Sequence, residues 1–166
     1  MRHDGLDFRE LLAYVAGETD RWHAWFRVQD PALLDLPFGE GSRSTVGDLL
    51  VHIFAVERRY ADRLLGDPVT PYEALPRASV DAIFSIHRDA RERLGRFIDD
   101  ATVEDWERNL TFETITAGTL SASARKIVAH ALVHGIRHWA QLATTLRLAG
   151  HPTDWMHDLL MSDAID

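Results

Sequence analysis

Four long segments of the sequence repeat apolar residues at the spacing of an α-helix, and each one ends near a proline or a glycine. Residues three and four apart lie on one face of a helix, so each segment predicts an amphipathic helix. The predicted helices are Asp7–Gln29, a second from Thr45 to the stop at Gly66-Asp67-Pro68, Ser79–Asp99 and Ser123–Ala149. Together they predict an all-α four-helix bundle that occupies residues 1–166 as one domain.

The residues at the ends of these segments support the assignment. Asp30-Pro31 is expected to end the first helix, because proline disfavours a helical residue before it. Thr45-Val-Gly-Asp48 resembles a capping box at the start of the second helix. Gly150-His151-Pro152 closes the fourth helix with glycine followed by proline.

The stretch between the third and fourth helices has a different pattern. Residues 110–120 are rich in β-branched side chains, with a candidate turn at Ala117-Gly118. They predict a short β-hairpin or an extended excursion from the bundle. The tail around Trp155 is expected to form one more helical piece.

Composition limits the partners and the location of the protein. The chain has 18 basic and 26 acidic residues, a net charge of −8, which argues against nucleic acid and against an anionic membrane surface as partners. A small anionic substrate in a local pocket is compatible with this charge. Neither a signal peptide nor an apolar run of roughly 18 residues is found, so we expect a soluble cytoplasmic protein. With no cysteine, any metal must bind to His, Asp or Glu.

The fourth predicted helix carries histidines at intervals of four residues, His130, His134 and His138. His134 and His138 lie within its apolar stripe, and His130 lies at the margin. Two inward imidazoles one turn apart each need a partner for their polar nitrogens, and imidazole is the commonest metal ligand. The pair therefore favours a metal site over two hydrogen-bonded core histidines, although this spacing alone is a weak motif without the glutamate of HExxH.

A third ligand must come from another helix, and two histidines qualify by their spacing. His52 lies on the apolar face of the second helix, and His87 shares a face of the third helix with Ile83 and Leu94. Spacing alone does not choose between them. We expect His23 to lie near the edge of the apolar stripe of its helix. His3, His151 and His157 are expected in solvent-exposed or terminal positions.

The stretches around these histidines resemble the DinB/YfiT superfamily. The resemblance is carried by Leu49-Leu-Val-His52-Ile53, by the run from Ala129 to Gln141, and by the ending Leu-Arg147-Leu-Ala-Gly150. It covers nearly the whole chain. Where the family often has His-Arg-Gly-Gln, this chain has His138-Trp-Ala-Gln141, with Arg137 before the histidine instead. Whether Arg137 or His130 takes part in the site stays open.

The resemblance implies an up-down-down-up bundle and a divalent metal ion on His52, His134 and His138, which selects His52 over His87. Zinc or nickel is the expected ion, with manganese and iron as further candidates, because imidazole suits several transition metals. Homodimers are common in the family and among oligomers in general, so a homodimer is expected.

Three imidazoles leave an open coordination position for water or for a substrate thiol. The chain has no thiol of its own, and the resembled family includes S-transferases and isomerases that use bacillithiol, mycothiol or glutathione. We therefore expect a metal-dependent enzyme acting on a small molecule, most concretely a low-molecular-weight-thiol-dependent transferase. The alternatives are a non-catalytic metal- or ligand-binding module and a metal-dependent hydrolase. No catalytic residue is assigned, since Glu57 lies five residues beyond His52 and off its face.

Overall fold

The computed structural model describes residues 5–39, 43–114 and 118–165. Their helices and strands follow in the order α1 (Phe8–Arg27), α2 (Val46–Leu65), α3 (Val80–Asp100), α4 (Val103–Glu107), β1 (Asn109–Thr114), β2 (Gly118–Ser123) and α5 (Ala124–Leu148). The four long helices agree with the four predicted ones to within two residues at each end. The short helix α4 was not predicted, although Thr102 and Asp105 form a capping box at its start.

Local side-chain contacts explain where α2 begins and where α1 ends. The Asp48 backbone N–H donates to the Thr45 hydroxyl at 3.1 Å, and the Thr45 N–H donates to the Asp48 carboxylate at 3.3 Å. This reciprocal pair confirms the predicted capping box. Helix α1 ends at Arg27, slightly before the predicted stop, because Asp30 caps a separate 3-10 turn that starts at Pro31.

The predicted hairpin is confirmed. Strand β1 pairs antiparallel with β2, and Phe112 lies opposite Leu120. Of the predicted turn residues, Ala117 lies outside the described part of the chain, and Gly118 begins β2 at φ 66°, a backbone conformation that glycine adopts without strain.

The helical piece predicted around Trp155 does not form. Only Leu159–Met161 makes a 3-10 turn. Trp155 and His157 are two residues apart, and both reach the carboxylate of Glu18 on α1. An extended segment places such residues on one side, whereas a helix would direct them apart. Contact with α1 therefore overrides the helical pattern of the tail.

Helices α2 and α3 run parallel. Residues later in α2 contact residues later in α3: Phe54 contacts Phe84 with 5.0 Å between ring centroids, and Asp62 contacts Arg93 at 3.4 Å. Glu57, which lies between Phe54 and Asp62 on α2, forms a hydrogen bond to α3. A constant offset of about 30 residues between partners is possible only when both helices point the same way.

Helices α1 and α5 run opposite to this pair. On α1, His23 contacts Asp81 near the start of α3 and Arg9 contacts Asp99 near its end. On α5, Trp139 contacts Phe54 of α2, whereas the earlier His130 contacts the later Tyr60. The helices are therefore arranged up, down, down, up, as the family resemblance implied.

The buried apolar residues form two clusters, one towards each end of the bundle. One is centred on Trp22, which is fully buried and stacks on Trp139 with their ring centroids 5.5 Å apart. The other contains Tyr14, Leu94 and Leu132, and residues of the hairpin pack against it. No helix among the described residues is long and apolar enough to cross a membrane.

Candidate metal centre

Three histidines from two antiparallel helices meet inside the bundle. His134 Nε2 lies 3.2 Å from His52 Nε2 and 3.1 Å from His138 Nε2. One nitrogen from each of the three rings falls within 4.8 Å of the others. His134 and His138 are buried and His52 is half-buried, so the pair on α5 and the single histidine on α2 converge on one point.

The three imidazoles are uncharged near neutral pH. Burial, followed by the effects of His138 and of the Arg43 charge, lowers the pKa of His52 to about 4. Burial and the neighbouring histidines lower the pKa of His134 to about 2. Burial also lowers the pKa of His138, against the opposing effect of Gln141. Each ring therefore has an unprotonated nitrogen, which is the form that binds a metal ion.

A neighbour on the same helix orients the ring of His138. The Gln141 amide oxygen lies 2.5 Å from His138 Nδ1. An amide oxygen only accepts hydrogen bonds, so the ring proton lies on Nδ1 and the lone pair lies on Nε2. Orientation of a ligating histidine through its other nitrogen is typical of metal sites. Three neutral, converging imidazoles fit a divalent transition-metal ion.

The two residues whose roles the sequence left open lie at the edge of this group. Arg137 Nη2 is 3.4 Å from His138 Nε2, which places a positive charge beside the site. The ring of His130 lies 5.5 Å from that of His134, centroid to centroid, and contacts Tyr60 instead of joining the three histidines. His130 is therefore a neighbour of the group and not a member.

His87, the competitor of His52, belongs to a different contact. It is 2% exposed, and its Nδ1 lies 2.7 Å from Glu57 Oε2. The second oxygen of Glu57 approaches α5, where a Cβ placed on Gly135 would lie only 3.2 Å away. The contact between His87 and Glu57 was not predicted from the spacing of residues. Glu57 is four residues after the buried Ile53, however, and therefore lies on the core face of α2.

The other histidines lie apart from the group. His23 contacts Asp81 at the start of α3, and His151 is exposed. His157 was expected to be exposed or terminal, but it stacks on Trp22 and hydrogen-bonds to the buried Glu18. The expectation for His3 falls outside the described residues.

A cavity adjoins the histidine group. It has a volume of about 520 Å³, and His52 and His130 lie on its wall. Clefts of this size are typical of sites for small molecules. The fold and the site together define a four-helix bundle with a three-histidine group at the edge of a ligand-sized cavity.

The model of the DinB family matches residues 1–164. The chain therefore belongs to the DinB family. A search of curated proteins finds no match to this chain.

Proposed function

We propose that this protein is a divalent-metal-dependent enzyme that acts on a small molecule, and more specifically a transferase that joins a low-molecular-weight thiol to a small electrophile. The observation that carries the proposal is the convergence of His52, His134 and His138 beside the cavity. Zinc or nickel is the proposed ion, with manganese and iron as further candidates.

The histidines would hold the ion through their Nε2 atoms, and Gln141 would keep His138 in the required tautomer. A bound divalent ion lowers the pKa of water or of a thiol that it coordinates, and so supplies a nucleophile near neutral pH. Arg137 places a positive charge beside the same point. The cavity on the His52 side would admit the substrate and limit its contact with water.

The proposed reaction needs a thiol from outside, because the chain contains no cysteine. The thiol sulfur forms a bond to an electrophilic carbon of the second substrate, and the leaving group departs from that carbon with the bonding electron pair. The thiol proton passes to the solvent or to the leaving group. Glu57, a buried carboxylate on α2, is hydrogen-bonded to His87, so a metal-activated thiol suits the site better than a mechanism that depends on a carboxylate base.

The test is a turnover assay with the full chain loaded with zinc or nickel. Bacillithiol, mycothiol and glutathione are each incubated with chlorodinitrobenzene, and the conjugate is measured by mass spectrometry. We expect conjugate formation that depends on the metal and that falls by about a hundredfold in His138→Ala, because one lost interaction with a reacting group is worth several kcal/mol. His151→Ala, an exposed histidine away from the site, is the matched control.

Equal rates for the metal-free protein, His138→Ala and the wild type would overturn the proposal. Stoichiometric metal binding without any turnover would instead support the non-catalytic module.

A further inference from the structure

The cavity beside the histidines lies between α2, the first turns of α5 and the hairpin. Its apolar wall includes Val56, Tyr60 and Phe112, and the rings of Tyr60 and Phe112 meet edge to face with centroids 5.6 Å apart. Aromatic walls of this kind bind the apolar part of a small molecule.

The charged residues of the cavity are all basic. Arg43, Arg59, Arg63 and Lys126 lie on its wall, and none of its described lining residues is acidic. The whole chain has 26 acidic residues against 18 basic ones, so the charge of the cavity is opposite to that of the protein. An uncompensated cluster of one sign raises the local concentration of ligands of the other sign.

The surroundings of these four cations differ from those of arginines elsewhere in the described part of the chain. Within the described residues none of the four forms an ion pair, whereas arginines on other surfaces do, for example Arg91 with Asp20 and Arg93 with Asp67. Cations in a shared cavity without counter-charges repel one another, and an anion would remove that repulsion.

Backbone contacts hold two of these arginines in place. Arg59 donates to the Thr70 carbonyl at 2.6 Å, and Arg63 donates to the carbonyls of Arg59 at 3.0 Å and Glu113 at 3.3 Å. Each guanidinium carries five N–H donors, so both keep donors for a ligand. Arg63 also lies over the Phe112 ring, 4.7 Å from its centroid. Burial and the charge of Arg59 lower the pKa of Arg63, against the opposing effects of Tyr60 and Asp62.

We propose that this cavity binds an organic anion, with the anionic oxygens on Arg59, Arg63 and Lys126 and the apolar body against Tyr60 and Phe112. The ligand then extends towards His52. This names the substrate class of the proposed enzyme and therefore rests on the function proposed above. A carboxylate and a phosphate share the required chemistry, because both accept paired hydrogen bonds from guanidinium.

The test is calorimetric titration of the full chain with phenylacetate, phenyl phosphate and the neutral phenylacetamide. Each titration is done with metal-free protein and with zinc-loaded protein, because an anion that bound only to the metal would need the zinc. We expect both metal-free and zinc-loaded protein to bind at least one of the anions at least about tenfold more tightly than the amide. The affinity for the anion is expected to fall as salt is added. The tighter anion identifies the headgroup.

Variants locate the binding. Lys126→Gln changes an exposed side chain that has no hydrogen bond or ion pair within the described residues, so the variant is expected to fold. Arg59→Gln removes a guanidinium that also contacts Thr70. Each is expected to weaken anion binding about tenfold. Arg125→Gln, next to Lys126 but not on the cavity wall, is the matched control and is expected to leave binding unchanged. Circular dichroism checks that each variant is folded.

Equal binding of phenylacetate and phenylacetamide, or no binding of either anion, would overturn the proposal. So would a loss in Arg125→Gln as large as that in Lys126→Gln. Anion binding by metal-free protein together with no turnover would leave this inference standing while the proposed enzyme function failed.

Discussion

The imidazole of His138 is oriented by one side chain on its own helix. Gln141 lies three residues later, on the next turn of α5, and its amide oxygen accepts from His138 Nδ1. Removing this acceptor would let the ring rotate or change its tautomer, and either change would turn the lone pair away from His52 and His134.

We therefore expect Gln141→Leu to weaken metal binding by about ten- to a hundredfold. Gln141→Glu keeps an acceptor at the same position and is expected to bind close to the wild-type level. Competition with a coloured chelator measures both affinities. Wild-type affinity in Gln141→Leu would show that Gln141 does not orient the ligand.

The proposed ligand set also makes a prediction about stoichiometry. His52→Ala, His134→Ala and His138→Ala are each expected to lose bound zinc after dialysis, because two imidazoles hold the ion much more weakly than three. His130→Ala is the matched control, since His130 lies on the same helix but outside the group. Plasma mass spectrometry gives the metal content, and one equivalent of zinc retained in any of the three variants would remove that residue from the set.

Helix α2 is connected to the loop after it and to α3 through the carboxylate of Asp62. Asp62 is fully buried and accepts from the Thr70 N–H at 2.9 Å, the Thr70 hydroxyl at 2.7 Å and Arg58 Nε at 2.9 Å. Burial alone would raise the pKa of Asp62, but these hydrogen bonds from Thr70 and Arg58 outweigh it and lower the pKa below the ordinary value of 3.8.

Asp62→Asn is expected to lower the free energy of unfolding by about 2 kcal/mol near neutral pH, through loss of hydrogen bonds to a charged group. The folded-state pKa lies below the unfolded one, so the contribution of Asp62 is complete above the unfolded value of 3.8 and is lost as the pH falls through the lower folded value. Urea unfolding at several pH values is the measurement, and the difference between variant and wild type should shrink in acid.

Asp67→Asn is the matched control for this loop, because Asp67 is half-exposed and pairs with Arg93 at the surface. Exposed ion pairs contribute little, so its effect should stay below about 1 kcal/mol. A pH-independent effect of Asp62→Asn would show that its carboxylate charge is not what stabilises the loop.

At the scale of the whole molecule, the histidine group links two helices that are distant in the chain. His52 lies in the first half of α2, and His134 and His138 lie on either side of the middle of α5. An ion bound to all three would exist only in the folded protein, so binding would stabilise the fold by mass action.

Zinc at about a hundred times its dissociation constant should add about 2.7 kcal/mol, which for a chain of this size raises the melting temperature by roughly 5–10 °C. Differential scanning calorimetry of wild type and His134→Ala tests this, with no shift expected for the variant. An equal shift in both proteins would mean that zinc binds elsewhere.

Much of the fold follows from local patterns. The capping box at Thr45 and Asp48 and the glycine at Gly66 depend only on neighbouring residues, so the bounds of α2 were predictable. The tail was not, because Trp155 and His157 take their conformation from Glu18 on α1, more than a hundred residues away. Helix α4 was missed because it is a single short element between longer patterns.

The sequence by itself determined that His134 and His138 share one face, since a spacing of four residues places them there in any α-helix. It did not determine their partners. His52 and His87 were equal by spacing, and only the family resemblance chose between them. In the tertiary structure His52 reaches the pair on α5, while His87 bonds to Glu57. Arg59, Arg63 and Lys126 are likewise brought around one cavity only by the tertiary structure. The physical reason is that periodicity sets positions within one element, whereas contacts between elements depend on how helices rotate and slide as their apolar faces pack.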